Sequence, residues 1–75
     1  MKYRIYEEGY EATGESGKAH FLGESEGQDF LDACKNYVAA TGYGEIYTFR
    51  GGQERPGNWG CFWYPTLEEA RKYFG

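Results

Sequence analysis

The sequence has little of the two residue types on which most metal and redox sites depend. Its 75 residues contain two cysteines, Cys34 and Cys61, and one histidine, His20. A structural zinc site takes about four ligands of these types, and a disulfide scaffold needs more thiols than two. These shortages exclude a zinc module and a disulfide-rich domain, and we predict no cofactor.

Long apolar runs are also missing. The segment MKYRIYEEGYE has no apolar region of the kind that a secretory signal needs, and no stretch approaches the ~18 apolar residues of a membrane span. We therefore expect a cytoplasmic protein with reduced thiols and no membrane partner. A chain of this length forms one domain, which we place at residues 1–75.

A basic surface is the third absence. The formal net charge is −4, and residues 7–32 contain eight acidic residues against one base, Lys18. Nucleic-acid binding usually requires a face of lysines and arginines, so direct nucleic-acid binding is not predicted. The acidic half either keeps the chain soluble or forms a face for a basic partner. The residues that would carry such a face are Glu7, Glu8, Glu11, Glu24 and Glu26.

Aliphatic residues are few, whereas aromatic residues make up 20% of the chain. Each large ring buries about 150–250 Å², so rings can replace aliphatic side chains in a small core. Tyrosine hydroxyls need partners or water, so some of the eight tyrosines must lie at the surface. The rings that their positions assign to the core are Phe21, Phe30, Tyr37, Tyr73 and Phe74.

The first half of the chain predicts a hairpin. Residues 2–12 and 18–24 have the composition of strands, with Phe21 facing inward, and TGESG at 13–17 is a turn.

A helix is predicted next, over residues 29–41. Phe30, Ala33, Cys34, Tyr37 and Val38 form one apolar stripe at helical spacing. Asp29 before the stripe is suited to cap the helix, and Gly42 after it is suited to end the helix in left-handed conformation.

The second half repeats the order of strands and helix. Residues 45–50 and 59–64 read as strands, with a loop at 51–58 because GGQERPGN contains no apolar residue. Thr66 and Glu69 form a capping box that starts a second helix, which Gly75 ends. The chain therefore predicts an α+β fold of order ββαββα, with an antiparallel sheet of about four strands and two helices on one face.

Two groups of residues are candidates for chemistry or binding. His20 lies near several carboxylates, and is either an ordinary surface histidine or a general base in a small site; no motif connects it to a thiol nucleophile. The region 50–64 combines arginines with large rings, the side chains that dominate binding hot spots. Its rings either fill the core or contact a partner. The candidates there are Arg50, Arg55, Trp59, Trp63 and Tyr64.

Two segments, EGYEATGESGKAHFLGE at 8–24 and WGCFWYPTLEEARKYFG at 59–75, carry a resemblance. They resemble short proteins of bacteria and phages that share an EGY…TG…LGE opening and an EEARK.FG ending. The resemblance implies a prokaryotic or phage origin, and it implies no activity, substrate or catalytic residue.

Three functions follow as hypotheses. The first is a non-enzymatic module that binds a protein or peptide, or a second copy of itself, through exposed aromatics and residues 50–64. The second is a phage-type inhibitor whose acidic face occupies a basic site on a host protein. The third is a small enzyme or ligand-binding protein that uses His20 and a carboxylate.

Overall fold

A computed structural model describes residues 1–12 and 15–74, with side chains described within residues 1–10 and 17–72. The strands and helices of this part of the chain are β1 Lys2–Glu7, β2 Tyr10–Ala12, β3 Glu15–Gly17, β4 His20–Glu26, α1 Phe30–Thr41, β5 Glu45–Thr48, β6 Glu54–Asn58, β7 Cys61–Tyr64 and α2 Leu67–Phe74, with a short 3-10 turn at Arg50–Gly52.

The fold is α+β, as the sequence predicts. Five antiparallel strands form one sheet in the order β4-β1-β7-β6-β5, where about four strands were expected, and two helices accompany it. The predicted first hairpin corresponds to β1 and β4, which pair with each other. The chain between these two strands forms a separate two-stranded ribbon, in which β2 pairs with β3.

Helix α1 begins and ends at the predicted residues. The Asp29 carboxylate accepts a hydrogen bond from the Asp32 backbone N–H at 2.8 Å, and so caps the first turn. Gly42 has a φ of 73°, and its N–H donates to the Val38 carbonyl. The apolar stripe faces the sheet, and Ala33 and Cys34 are fully buried.

Helix α2 is capped as predicted by Thr66, whose hydroxyl accepts from the Glu69 N–H at 3.2 Å. Among the side chains of α2 that the structure describes, Ala70 is buried, and the helix contacts β7, β1 and β4. The turn predicted at 13–17 is wrong for residues 15–17, which form strand β3 because they pair with β2. Residues 13, 14 and 75 and the side chains of Tyr73 and Phe74, two predicted core rings, lie outside the described residues.

The core is aromatic and lies between α1 and the sheet. Ile5, Cys34 and Trp63 form its centre, and Leu22, Phe30, Tyr37 and Val38 pack against them. Tyr37 of α1 meets Trp63 of β7 edge to face, with ring centroids 5.5 Å apart. Trp63 therefore points toward α1, and its neighbours Phe62 and Tyr64 lie on the far side of the sheet, the side away from α1.

The inward position predicted for Phe21 is wrong. The β1–β4 register shifts between Ile5, which pairs with Gly23, and Tyr6, which pairs with Phe21. Leu22 is the extra residue of this bulge, and it packs against the core in place of Phe21. Phe21 is 51% exposed and contacts Tyr6, with ring centroids 5.4 Å apart.

The predicted loop at 51–58 is also wrong, because its second half is strand β6. This central strand pairs with β5 on one side and β7 on the other, and Pro56 lies opposite Ile46. Proline in a central strand is rare, so the composition argued against the assignment. The strand expected at 59–64 accordingly begins at Cys61, and residues 59–60 form a turn.

Candidate binding surface

The β6–β7 turn holds Trp59 in an unusual position. Asn58 pairs with Cys61, which leaves Trp59 and Gly60 as a two-residue turn with φ values of 53° and 82°. Two positive φ values are typical of a type I′ turn, which favours asparagine and glycine. In the described chain Trp59 is the one non-glycine residue with positive φ. Its side chain is 92% exposed, so no packing within the domain requires an indole there.

Tyr47 on β5 fixes this turn from beside it. Its hydroxyl accepts a hydrogen bond from the Gly60 backbone N–H at 2.9 Å. Its ring covers Gly57, where an added Cβ would lie 3.1 Å from the ring and still closer to the Cys61 carbonyl. Glycine at 57 therefore lets the tyrosine lie flat along the hairpin.

A shallow depression of about 390 Å³ lies between this tyrosine and the turn. It is lined by Glu45, Tyr47, Asn58 and Trp59. The lining therefore includes two aromatic residues and one acidic residue.

The rings continue across the far side of the sheet. Phe62 lies 5.7 Å from Tyr47 and 5.8 Å from Phe49, measured between ring centroids. The Arg55 guanidinium lies over the Phe62 ring at 4.0 Å and donates to the Tyr64 hydroxyl at 3.1 Å. We refer to Tyr47, Phe49, Arg55, Phe62 and Tyr64 as the aromatic face.

Glu8 anchors the aromatic face from beneath, and it is only 8% exposed. Its carboxylate accepts from the Phe62 backbone N–H at 3.0 Å and from the Tyr64 hydroxyl at 2.9 Å. Burial and the hydrogen bond to Glu8 raise the pKa of Tyr64, which therefore stays a donor at neutral pH. Glu8 and Arg55 thus hold Tyr64 between opposite charges.

Glu7 lies in a second polar cluster, and it is 6% exposed. The Trp63 indole Nε1 donates to its Oε1 at 3.0 Å, and the Tyr43 hydroxyl donates to the same oxygen at 3.3 Å. Burial, followed by the charge of Glu7, raises the pKa of Tyr43. Three segments far apart in the chain therefore meet at one carboxylate.

His20 completes the cluster around Glu7. Its Nε2 lies 3.4 Å from the Glu7 Oε2, and its Nδ1 lies 3.1 Å from the Lys18 carbonyl oxygen. Both ring nitrogens therefore lie against oxygen atoms of this chain, whereas a general base needs a nitrogen that is free to reach a substrate. The structure thus brings His20 to a carboxylate, with both ring nitrogens already in contact with the protein.

The two thiols are not activated. Burial raises the pKa of Cys34 to about 12. Burial also raises the pKa of Cys61, and the charges of Glu7 and Glu8 add to the effect. A nucleophilic cysteine needs a lowered pKa, so neither thiol has the environment for covalent chemistry at neutral pH.

The predicted partner-binding residues separate into three groups. Trp59 is exposed at the turn, and Arg55 and Tyr64 belong to the aromatic face beside it. Arg50 is exposed in the 3-10 turn. Trp63 is 2% exposed and holds Glu7, so it belongs to the core and presents no ring to a partner.

The predicted partner-binding residues do not include Glu45, Tyr47, Phe49, Asn58 and Phe62, which also belong to this surface. Alternation along residues 45–50 already placed Tyr47 and Phe49 on one face. Glu45 and Asn58 become visible only once β6 is recognised as a strand, since Glu45 then pairs with Gly57 and Asn58 ends the strand before the turn.

The predicted acidic face is not assembled. Glu7 is the last residue of β1 and Glu8 follows it; their carboxylates enter different clusters, and both residues are buried. Glu24 and Glu26 are exposed on β4, and the Glu11 side chain lies outside the described residues.

Three further observations bear on function. Within the described residues no group of three or more His, Cys, Asp or Glu side chains is placed to hold a metal ion. None of the helices described is both long and apolar enough to cross a bilayer. Comparison with protein-family models, curated proteins and solved structures finds no match to this chain. The resemblance to short bacterial and phage proteins stays a prediction.

Proposed function

We propose that this chain is a non-enzymatic interaction module that binds a protein or peptide through Trp59 and the adjacent aromatic face. The observation that carries the proposal is the indole of Trp59, 92% exposed at a turn whose backbone disfavours it. A left-handed backbone costs an L-residue with a side chain about 1–2 kcal/mol. Trp59 has a backbone conformation that tryptophan disfavours and an apolar ring in contact with water. A residue of this kind is a candidate for a role in function and not in stability.

The surroundings of Trp59 support binding because they are already ordered. Tyr47 holds the turn through Gly60, and Arg55 is fixed over Phe62 by its bond to Tyr64. Fixed side chains lose little conformational entropy when a partner arrives. Tryptophan, tyrosine and arginine are also the residues most enriched at interface hot spots.

Selection of peptides on the protein tests this proposal. A displayed library of random peptides is selected on the wild-type domain, and the selected peptides are measured against Trp59→Asn. We expect affinities to fall at least about tenfold, since hot-spot rings contribute 2 kcal/mol or more. The matched control is Phe21→Ser, which removes a half-exposed ring from β4, far along the sheet from β5, and should leave affinity unchanged.

Two results would contradict the proposal. The first is a selection that yields only peptides that bind Trp59→Asn as tightly as wild type. The second is equal weakening by Phe21→Ser and Trp59→Asn, which would indicate non-specific adhesion to exposed rings. Sedimentation of wild type and Trp59→Asn over a range of concentrations separates self-association from binding of another chain.

The two other functions have less support. The inhibitor hypothesis required Glu7 and Glu8 at the surface, and both are buried. The contact between His20 and Glu7 supports the enzyme hypothesis. Both ring nitrogens of His20 face acceptor oxygens of this chain, however, which counts against a role as general base. The aromatic face with Trp59 needs no rearrangement to meet a partner.

A further inference from the structure

We infer that the depression beside Trp59 takes an arginine side chain of the partner polypeptide, an inference that rests on the proposed function. The lining supplies what a guanidinium group requires, namely aromatic faces to lie against and a carboxylate to pair with. Trp59 and Tyr47 provide the rings, and Glu45 provides the charge.

Glu45 forms no ion pair with a cation among the described residues. The ion pairs between described residues are His20 with Glu7 and Lys35 with Glu54, and neither includes Glu45. Its side chain is exposed on β5, on the same face of the strand as Tyr47. The depression therefore has a negative charge next to two rings, and the whole chain carries a net charge of −4 that favours a cationic partner.

The same side of the sheet already shows this recognition within the molecule. Arg55 lies over the Phe62 ring and within 5.8 Å of the Tyr64 ring, and its guanidinium donates to the Tyr64 hydroxyl. Glu8 lies behind that hydroxyl as the countercharge. Two rings and a hydroxyl oxygen thus hold the Arg55 guanidinium, and a carboxylate lies behind the hydroxyl. The residues that line the depression beside Trp59 include two aromatic residues and a glutamate, and none of these lining residues is an arginine.

Arginine suits the depression better than lysine does. Its guanidinium is planar and weakly hydrated, so it can lie flat on an indole while its edge donates two hydrogen bonds to a carboxylate. A lysine ammonium is strongly hydrated and acts as a point charge. Tryptophan is also the ring that binds cations best.

Titration by NMR tests the inference with defined probes. The probes are acetyl-Gly-Arg-Gly-amide and two analogues in which lysine or citrulline replaces the arginine; citrulline keeps the shape and lacks the charge. We expect the arginine peptide to shift the indole N–H resonance of Trp59 and the backbone amides of Glu45 and Tyr47. The buried indole of Trp63 should not move, and serves as an internal control.

Variants complete the experiment. Glu45→Gln should weaken the arginine peptide about threefold to tenfold, as loss of an exposed ion pair with a stacked cation predicts. Glu26→Gln makes the same change of charge at an exposed residue of β4 and should have no effect. Increased salt should weaken binding to wild type more than binding to Glu45→Gln.

Several outcomes would overturn the inference. Equal shifts with citrulline would show that charge is not recognised, and equal shifts with lysine would remove the preference for a guanidinium. A shift of Trp59 by methyl β-glucoside but not by the arginine peptide would indicate a sugar site. Selected peptides that need Trp59 but lack arginine would overturn this inference and leave the proposed function intact. Peptides that bind Trp59→Asn normally would overturn the proposed function itself.

Discussion

The Tyr47 hydroxyl accepts a hydrogen bond from the Gly60 backbone N–H at 2.9 Å, so a side chain of β5 fixes the turn between β6 and β7. The same ring covers Gly57, whose missing side chain gives it room. Trp59 therefore projects from a turn that is tied on one side to the neighbouring strand. The exposed indole of Trp59 therefore belongs to a hairpin turn that is held in place by a hydrogen bond.

Tyr47→Phe tests the hydrogen bond between Tyr47 and Gly60, because it keeps the ring and removes the hydroxyl that accepts the bond. We expect the Gly60 amide to exchange faster with solvent and the free energy of unfolding to fall by about 0.5–1.5 kcal/mol, the usual net value of one hydrogen bond. Hydrogen exchange measured by NMR and urea unfolding check both effects. Tyr10→Phe, at an exposed tyrosine of β2, is the control. An unchanged exchange rate at Gly60 would contradict this role of Tyr47.

Glu7→Gln tests the second polar cluster. The carboxylate accepts from Trp63 and Tyr43 and lies against His20, whereas an amide presents an N–H₂ to one of these donors. We expect the free energy of unfolding to fall by about 1–3 kcal/mol, because a buried donor loses its acceptor. Urea unfolding measures the loss, and Glu26→Gln on the surface should cost far less. If the two variants are equally stable, the contacts of Glu7 are not stabilising.

The buried thiol predicts how stability depends on alkaline pH. The pKa of Cys34 is about 12 in the folded chain and 9.0 without burial, so the folded state keeps this proton to higher pH. Its contribution to stability is complete below pH 9 and is lost as the pH rises toward 12. The raised pKa values of Tyr43 and Tyr64 act in the same direction, starting from the ordinary value of 10.0.

Urea unfolding between pH 8 and 10.5 measures this effect. Wild type should lose stability over the range, and Cys34→Ala should lose less of it, although the cavity makes that variant less stable at pH 8. Equal pH dependence in the two proteins would show that Cys34 keeps no proton through burial. An Ellman-type thiol assay adds a check, since Cys34 should react only at the rate of unfolding.

Local sequence patterns predicted α1 because everything that defines this helix lies within it or beside it. The stripe from Phe30 to Val38, the cap at Asp29 and the left-handed Gly42 all act within a few residues. The class of fold was predictable from the order of such elements. Strand β6 was not predictable from the local sequence, because Pro56 and Gly57 are poor strand formers. Their pairing with Ile46 and Phe62 depends on tertiary structure.

The candidate surface was predictable only in part, for the same reason. Trp59 stood out by composition, but its left-handed backbone follows from the pairing of Asn58 with Cys61. The burial of Glu7 and Glu8 depends on Trp63 and Tyr64, each 56 residues away along the chain. Composition assigned both carboxylates to the surface, since no local pattern indicates donors that distant.

The most direct measurement is the free energy of unfolding of Trp59→Asn, which needs no knowledge of the partner. Asparagine followed by glycine is the preferred sequence of a type I′ turn, so the substitution relieves the backbone and removes an exposed ring. If Trp59 serves binding and not folding, the variant should equal wild type or exceed it by up to about 1 kcal/mol. A loss of more than about 1 kcal/mol would show that the indole stabilises the domain, and would contradict a role for Trp59 in binding alone.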